Sequence, residues 1–306
     1  MLATSDYELV TEGVGLVDRS DRAKFVVRGG EAAEFLQGQV SNEVVELARG
    51  SGCYSTILTA KGKLRTDLRI LRSDDFFWLD TEAVGHAVLR HMLQTYSVGR
   101  DVQWEDATAD HAILSLIGPQ ADGLAEPPPA AAEHSLTDTG EGLWVRTDLG
   151  LDLLVNAAQA DEWRDRLGVE PVSLEAAECV RIESGRPRLG YDMDAETMPQ
   201  EAGINDRAVS FTKGCYVGQE TVARLHYRGK PNRHLRGLAL SEPAERGSDI
   251  LLGERVVGRL GSTTVSPRLG PIALALVRRE AEPGATVEVG DGGVSAEVVV
   301  LPFARE

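Results

Sequence analysis

Apolar and polar residues alternate over several short stretches of the chain, and other stretches show helical spacing instead. Alternation or short apolar runs over residues 24–28, 76–80 and 111–117 predict β-strands. Apolar residues three and four apart predict helices over residues 82–94 and 173–184, the second with Ser173 as N-cap and Gly185 as the stop. Strands and helices that follow one another in this way indicate an α+β fold.

The segment 52–72 predicts two strands joined by a tight turn. The second strand alternates, so Lys63, Arg65, Asp67 and Arg69 share one face. Neighbouring arginines favour the ionised form of Asp67, which could then orient an amine or a pterin nitrogen. Periodicity alone favours the alternative, in which these side chains form surface ion pairs.

Turn-rich composition marks the connections and the C-terminal region. Residues 125–133 are rich in Pro and Ala and predict an exposed connector. Residues 186–205 form a long loop without periodicity, which is typical of a functional or disordered segment. After Arg236, short strands separated by Gly and Pro predict an all-β domain.

Composition and charge exclude several classes of protein. The 306 residues carry a formal net charge of -16, which argues against direct binding to nucleic acid. Three widely separated cysteines form no C-x-x-C pair, so we expect no metal site. No apolar run is long enough to cross a membrane, and no signal peptide is evident, so we expect a cytoplasmic protein.

Residues 207–236 contain seven basic residues and one acid. They predict an anion site, unless they are a solvated helix face.

The octapeptide KGCYVGQE, residues 213–220, combines a cation, a thiol, a phenol, an amide and a carboxylate. A helix is predicted to follow, with Gln219 and Glu220 in its first turn and Gly229 just past its end. Lys213 and the helix N-terminus would both favour the thiolate of Cys215 and make it a better nucleophile. The alternative is a cysteine that packs as a small apolar residue.

Four segments together resemble YgfZ-type folate-binding proteins, which are relatives of the glycine-cleavage T-protein (aminomethyltransferase). They are residues 16–44 (LVDRSDRAKFVVRGGEAAEFLQGQVSNEV), 52–70 (GCYSTILTAKGKLRTDLRI), 181–204 (RIESGRPRLGYDMDAETMPQEAGI) and the octapeptide. The octapeptide carries the YgfZ-type character, whereas the other three are shared more widely across the superfamily.

The resemblance implies a three-part T-protein-like fold around a central hole that holds tetrahydrofolate. Residues 1–51 and 135–236 would form a discontinuous folate-binding core domain. Residues 52–134 would form a ferredoxin-like subdomain, and residues 237–306 a C-terminal β-barrel domain.

The resemblance also implies two activities. YgfZ-type proteins bind tetrahydrofolate and support assembly or repair of iron–sulfur clusters in client proteins, with an indirect link to tRNA modification. T-proteins instead transfer an aminomethyl group from a lipoyl carrier and form methylene-tetrahydrofolate and ammonia. A folate-dependent transferase and a binding module with a vestigial folate site are therefore the alternatives.

The resemblance finally implies the site residues. Where T-proteins carry an Asp-Asp pair with one catalytic member, this chain has Thr66-Asp67. The predicted catalytic or reactive residues are Cys215, Lys213 and Asp67. The predicted folate-binding residues, among them the cations expected for the glutamate tail and a shorter stand-in for a pterin-binding acid, are Tyr216, Gln219, Glu220, Arg224, Arg228, Lys230 and Asp152.

Overall fold

The computed structural model describes residues 2–304. Within that range the α-helices are α1 (Thr4–Glu12), α2 (Ala32–Gln39), α3 (His86–Tyr96), α4 (Ala160–Leu167), α5 (Leu174–Glu183), α6 (Asn205–Ala208) and α7 (Gln219–Arg228). The strands are β1 (Gly15–Asp18), β2 (Ala23–Arg28), β3 (Ser51–Leu58), β4 (Leu64–Arg72), β5 (Phe77–Thr81), β6 (Gln103–Asp106), β7 (His111–Ile117), β8 (Leu136–Asp138), β9 (Leu143–Arg146), β10 (Gly150–Asn156), β11 (Arg233–Leu240), β12 (Asp249–Leu252), β13 (Arg255–Ser266), β14 (Gly270–Arg278), β15 (Thr286–Val289) and β16 (Val294–Val299). None of the helices in residues 2–304 is both long and apolar enough to cross a membrane.

The chain divides into two compact units. The sheet unit comprises Glu8–Val172 and Asp206–Gln219, and the barrel unit comprises the described residues of Met1–Tyr7, Ser173–Asn205 and Glu220–Glu306. The division falls within α7, between Gln219 and Glu220.

The sheet unit contains two antiparallel five-stranded sheets. Their strand orders are β1-β7-β10-β9-β8 and β3-β4-β5-β2-β6. The sheets pack against each other through one apolar cluster, in which Val26, Leu71 and Trp78 of the second sheet meet Ile113 and Val145 of the first. Successive side chains of a strand point to opposite faces of the sheet. Each sheet therefore has one apolar face for the other sheet and a second apolar face for the helices.

Helices cover both outer faces of this pair of sheets. On the second sheet, Phe25 packs in one cluster with Phe35 of α2 and Leu89 of α3. On the first sheet, Trp144 meets Trp163 of α4 edge to face, with ring centroids 6.2 Å apart. The unit is therefore a four-layer α/β/β/α arrangement with apolar contacts at each layer boundary.

The barrel unit contains a closed six-stranded barrel of order β11-β14-β13-β12-β15-β16. Its interior is filled by small and branched apolar side chains such as Leu238, Ala273 and Val298. On the outside, Ile182 of α5 packs against Leu235 and Leu274 of the barrel wall. The predicted α+β fold with a C-terminal β-barrel is confirmed.

Several elements differ from the prediction. The pattern of apolar residues predicts none of α1, α6, β8 and β12, because each is short and α1 buries only Tyr7 and Val10. Ser173 does precede α5, but its side chain forms no capping hydrogen bond. The predicted three-part division stays a prediction. Strands from residues 52–134 contribute to both sheets, and β2 joins the sheet that contains β3–β6.

Candidate functional site

A buried carboxyl group on β4 lies at the centre of the candidate site. The phenol of Tyr54, on the neighbouring strand β3, donates a hydrogen bond of 2.7 Å to Oδ2 of Asp67. The register explains this contact, because Thr56 lies opposite Asp67 and Tyr54 lies opposite Arg69. Residues two apart on paired strands share a face, so the phenol reaches the carboxyl group diagonally.

Burial gives Asp67 an unusual protonation equilibrium. Desolvation raises its pKa, whereas the hydrogen bond from Tyr54 and the charge of Arg22 act in the opposite direction without cancelling the effect. The expectation that neighbouring arginines hold Asp67 ionised is therefore wrong in direction. The reason is that the predicted cationic face is buried around Asp67, and that Arg69 binds other carboxylates.

Arg69 joins the two sheets through an ion-pair chain. Its Nε lies 3.0 Å from Oδ2 of Asp80 on β5, and its Nη1 lies 2.5 Å from Oδ2 of Asp152 on β10. Ser115 on β7 donates a 2.6 Å hydrogen bond to Oδ1 of Asp152. Asp152 is thus buried with both carboxylate oxygens engaged, and its predicted role in binding a pterin stays a prediction.

A second arginine completes the charge balance. Arg22 binds Asp80 at 2.6 Å and Glu82 at 2.5 Å. The charges of Arg69 and Arg22 lower the pKa of Asp80, and this effect outweighs burial, which acts to raise it. Asp67 and Asp80 therefore have pKa values displaced in opposite directions within one buried network, a pattern found where carboxyl groups take different roles in proton transfer.

Arg207 packs on the other side of the tyrosine. Its guanidinium carbon lies 4.9 Å from the centroid of the Tyr54 ring, and Glu133 forms an ion pair with it. The side-chain amide of Asn42 donates to the backbone carbonyls of both Tyr54 and Arg207, at 2.9 and 2.8 Å. The phenol is therefore held in position from both its backbone and its ring.

We call these residues the Asp67 cluster: Arg22, Tyr54, Asp67, Arg69, Asp80, Glu82, Asp152 and Arg207. Two of its buried guanidinium nitrogens, Nη2 of Arg69 and Nε of Arg207, donate to no atom within residues 2–304. A pterin ring presents both hydrogen-bond acceptors and N–H donors. Unused guanidinium donors beside a carboxyl acceptor therefore fit such a ring.

A buried histidine that the sequence did not indicate as a site residue lies beside this cluster. Burial lowers the pKa of His134 to about 4, with Glu133 opposing the effect and the charges of Arg69 and Arg207 adding to it. Its backbone has a φ of 68°, in the left-handed region. No signal pointed to it, because a single histidine at the end of a Pro/Ala-rich connector is unremarkable in sequence.

Lys213 holds the octapeptide loop onto α2. Its ammonium group donates three hydrogen bonds of 2.7 Å to the backbone carbonyls of Gln37, Val40 and Asn42. These carbonyls lie at and after the C-terminal end of α2, where backbone acceptors lack helical partners. The ammonium group also lies 5.2 Å from the centroid of the Tyr216 ring. Lys213 is thus a brace for the loop.

The octapeptide presents Cys215 to solvent. Cys215 is exposed, and α7 begins four residues later at Gln219. The expected pairing of the Lys213 charge with Cys215 is not found, because the ammonium group is turned toward the α2 carbonyls. That charge acts instead on Cys53, although burial raises the pKa of this second thiol to about 12. A reactive role for Cys215 stays a prediction that no longer draws on Lys213.

Two further octapeptide residues, Tyr216 and Gly218, are constrained by their surroundings. The side chain of Tyr216 is buried, and this burial raises its pKa to about 12. Gly218 has a φ of +88°, and a Cβ there would lie 2.5 Å from the carbonyl oxygen of Thr59. Only glycine allows both this conformation and this close approach. By contrast, a Cβ on Gly214 would meet no atom within 4 Å, so the close approach that requires glycine is found at Gly218 and not at Gly214.

The predicted helix bounds are confirmed, since α7 runs over Gln219–Arg228. Glu220 forms an exposed ion pair with Arg224 at 2.7 Å, and Arg228 and Lys230 are exposed. Binding of a folate tail by these cations stays a prediction. Four of the seven basic residues in 207–236 are engaged in separate contacts: Arg207, Lys213, Arg224 and Arg233. An anion site formed by this segment stays a prediction.

Comparisons with known proteins cover almost the whole chain. The family model "GCVT N-terminal domain" matches residues 2–137, and "Glycine cleavage T-protein C-terminal barrel domain" matches residues 233–304. An aminomethyltransferase of Corynebacterium aurimucosum is 30% identical over 332 residues, covering 98% of this chain and 89% of that protein. One of Rubrobacter xylanophilus is 29% identical over 320 residues, covering 98% and 86%. The crystal structure of glycine cleavage system aminomethyltransferase T from Bartonella henselae superposes with a TM-score of 0.89 at 23% identity, covering 98% of this chain and 89% of that one, and so has the same fold.

Proposed function

Because the chain belongs to the glycine cleavage T-protein (aminomethyltransferase-like) superfamily, we propose that it binds tetrahydrofolate through the Asp67 cluster. The observation that carries this proposal is the buried Asp67 carboxyl group with its raised pKa, held by Tyr54 at 2.7 Å. The unused nitrogens of Arg69 and Arg207 supply further donors. Tetrahydrofolate would supply the nitrogen atoms that carry one-carbon units.

Each member of the cluster has a separate role in this proposal. Asp67 would accept hydrogen bonds from pterin N–H groups, or share a proton with a ring nitrogen. Tyr54 would orient Asp67, and Arg207 would cover the ring side of Tyr54. Asp80, with its lowered pKa, would keep Arg22 and Arg69 charged and fixed.

Tyr54→Phe tests this arrangement, because it keeps the ring under Arg207 and removes only the hydroxyl. Tyr96→Phe is the matched control, since Tyr96 is exposed on α3. Tetrahydrofolate should raise the melting temperature of the wild type and of Tyr96→Phe, and raise that of Tyr54→Phe clearly less. Equal stabilisation of all three proteins would exclude a role for the phenol.

We further propose that the protein acts in assembly or repair of iron–sulfur clusters, and through such client enzymes indirectly in tRNA modification. The supporting observation is the exposed thiol of Cys215 on a loop fixed on either side by Lys213 and Gly218. A thiol that the fold holds at the surface is available to a partner protein, a client or an assembly factor.

Cys215→Ser tests this second step in cells that lack the native gene, with the activity of an iron–sulfur enzyme as readout. Val217→Ser is the control, because it changes another exposed residue of the same loop. We expect Val217→Ser to restore that activity and Cys215→Ser to fail, while both proteins bind tetrahydrofolate as the wild type does. Full complementation by Cys215→Ser would remove the thiol from the mechanism.

Aminomethyl transfer is the second candidate function. It is favoured by the retained Asp67 in its buried cluster and by the similar proteins of Corynebacterium aurimucosum and Rubrobacter xylanophilus, which are named aminomethyltransferases. Turnover of an aminomethylated lipoyl carrier that is lost in Asp67→Asn would support it, and no turnover of that donor would count against it. A protein that tetrahydrofolate does not stabilise at all would instead be a binding module with a vestigial site.

A further inference from the structure

An unpaired cation lies at one end of the barrel. His234 and Arg236 alternate with Leu235 along β11, so they share the strand face of Leu238 and Leu240, which belong to the barrel core. Leu235 belongs to the opposite, outer cluster with Ile182. The pleat thus places a histidine and an arginine on the inner face of the wall.

The register shows that this position is at the opening. Val277 lies opposite His234 and Ala275 lies opposite Arg236 on β14, and both are fully buried in the barrel core. On the other edge of β11, pairing with β16 begins only at Gly237. Arg236 therefore extends from a stretch of wall that β16 leaves uncovered, next to a small residue that leaves space.

The arginine lacks the partner that a desolvated charge requires. Its Nη1 donates to the backbone carbonyl of Leu235 at 3.1 Å, whereas its buried Nε donates to no atom of the described chain. Burial lowers the pKa of Arg236, and no carboxylate among residues 2–304 opposes the effect. A half-buried guanidinium without an acid is costly, and it is unexpected in a chain with 48 acidic and 32 basic residues.

The neighbouring charges add to this excess. Arg278 lies directly opposite Arg233 across the β11–β14 pair, and like charges in that position repel. Glu201 binds Arg233 at 2.9 Å, and the charges of Asp194 and Glu196 also act on Arg233. Burial and Arg236 lower the pKa of His234, whereas Glu201 opposes the effect. Within residues 2–304, the carboxylates at this end of the barrel therefore act on Arg233 and His234, and none of them pairs with Arg236.

We propose that this end of the barrel is an oxyanion site, in which Arg236 and His234 bind a carboxylate or phosphate group. The orphaned Nε and the open side of the guanidinium provide two adjacent donors, the geometry that a planar carboxylate uses. Partial burial strengthens the contact, because water competes less for the ligand.

The oxyanion that this inference assigns to the site is a free small anion, because the residues that form the site all belong to the barrel unit. Citrate and inorganic phosphate are the probes, since one carries carboxylates and the other a phosphate group.

Arg236→Gln tests the site, and Arg259→Gln is the matched control. Arg259 lies on the same barrel and loses the same charge, but it is exposed and paired with Asp249 at 2.7 Å. Citrate and phosphate stabilise most proteins through exclusion from their surface, so only the difference between the two variants is informative. Without ligand, Arg236→Gln should melt no lower than Arg259→Gln, since it removes an uncompensated charge.

The outcomes separate clearly. Citrate or phosphate should bind wild type and Arg259→Gln with the same affinity and Arg236→Gln about tenfold or more weakly. Arg236-dependent anion binding without any tetrahydrofolate binding would reject the proposed function and keep this site. If Arg236→Gln changes the affinity for neither anion, the site does not exist.

Discussion

Replacing Lys213 with Met should destabilise the sheet unit strongly, because this buried ammonium group is the shared donor for three carbonyls. The hydrogen bonds to Gln37, Val40 and Asn42 are all 2.7 Å long, and the one to Val40 is fully buried. Methionine occupies a similar volume but donates nothing. The variant therefore leaves three acceptors to be rehydrated or left unpaired.

The size of the effect follows from these contacts. An unpaired buried acceptor costs about 1–3 kcal/mol. Two of the three carbonyls are only partly buried and can regain water, so their cost is at the lower end, whereas the Val40 carbonyl cannot. With the lost contact between the ammonium group and the Tyr216 ring, the expected total is about 3–5 kcal/mol. That is a large part of the roughly 5–15 kcal/mol that stabilises a typical domain.

Urea unfolding followed by tryptophan fluorescence measures this directly. All four tryptophans, at positions 78, 104, 144 and 163, lie in the sheet unit, so their emission reports on that unit alone. Lys61→Met is the control, because Lys61 is exposed in the β3–β4 turn and should change stability by less than about 0.5 kcal/mol. If Lys213→Met unfolds within about 1 kcal/mol of Lys61→Met, the three hydrogen bonds do not brace the loop.

Two further predictions concern the same unit. Burial lowers the pKa of His134 from 6.5 to about 4. Between pH 4 and pH 6.5, His134 therefore binds a proton in the unfolded chain but not in the folded chain. Stability should accordingly fall as pH drops from 6.5 to 4, by about 3 kcal/mol in total. His134→Asn, which tolerates the left-handed backbone, should remove this part of the pH dependence in urea titrations at several pH values; parallel curves for both proteins would refute the assignment. Gly218→Ala should cost at least about 2 kcal/mol, because its Cβ would lie 2.5 Å from the Thr59 carbonyl at a φ of +88°, whereas Gly214→Ala should be neutral within about 0.5 kcal/mol. Equal melting temperatures for the two alanine variants would contradict this account of the loop.

Strand periodicity predicted much of this fold because most strands here have one face against a core. β4 shows where that reasoning stops. Its alternation correctly placed Asp67 and Arg69 on one face, but alternation cannot tell a solvated face from a second buried one. Here the two sheets pack together, so the face that appeared exposed carries a buried ion-pair network.

The octapeptide shows a similar limit. Its composition pointed to a functional loop, and the start of α7 followed from the helix signals after it. The direction of the Lys213 side chain could not be predicted, because its partners are backbone carbonyls about 170 residues away in sequence. His134 gave no sequence signal for the same reason, and Arg236 was only one of the seven basic residues in 207–236, since the surroundings of both residues depend on contacts in space.

Calorimetric titration of tetrahydrofolate into the wild type and into Asp67→Asn tests the central claim most directly. Asparagine keeps the size of the side chain and its contact with Tyr54, so the variant should fold as the wild type does. We expect the wild type to bind one tetrahydrofolate per chain, and the substitution to weaken this binding about tenfold or more. Equal affinities, or no binding heat with a correctly folded wild type, would contradict it.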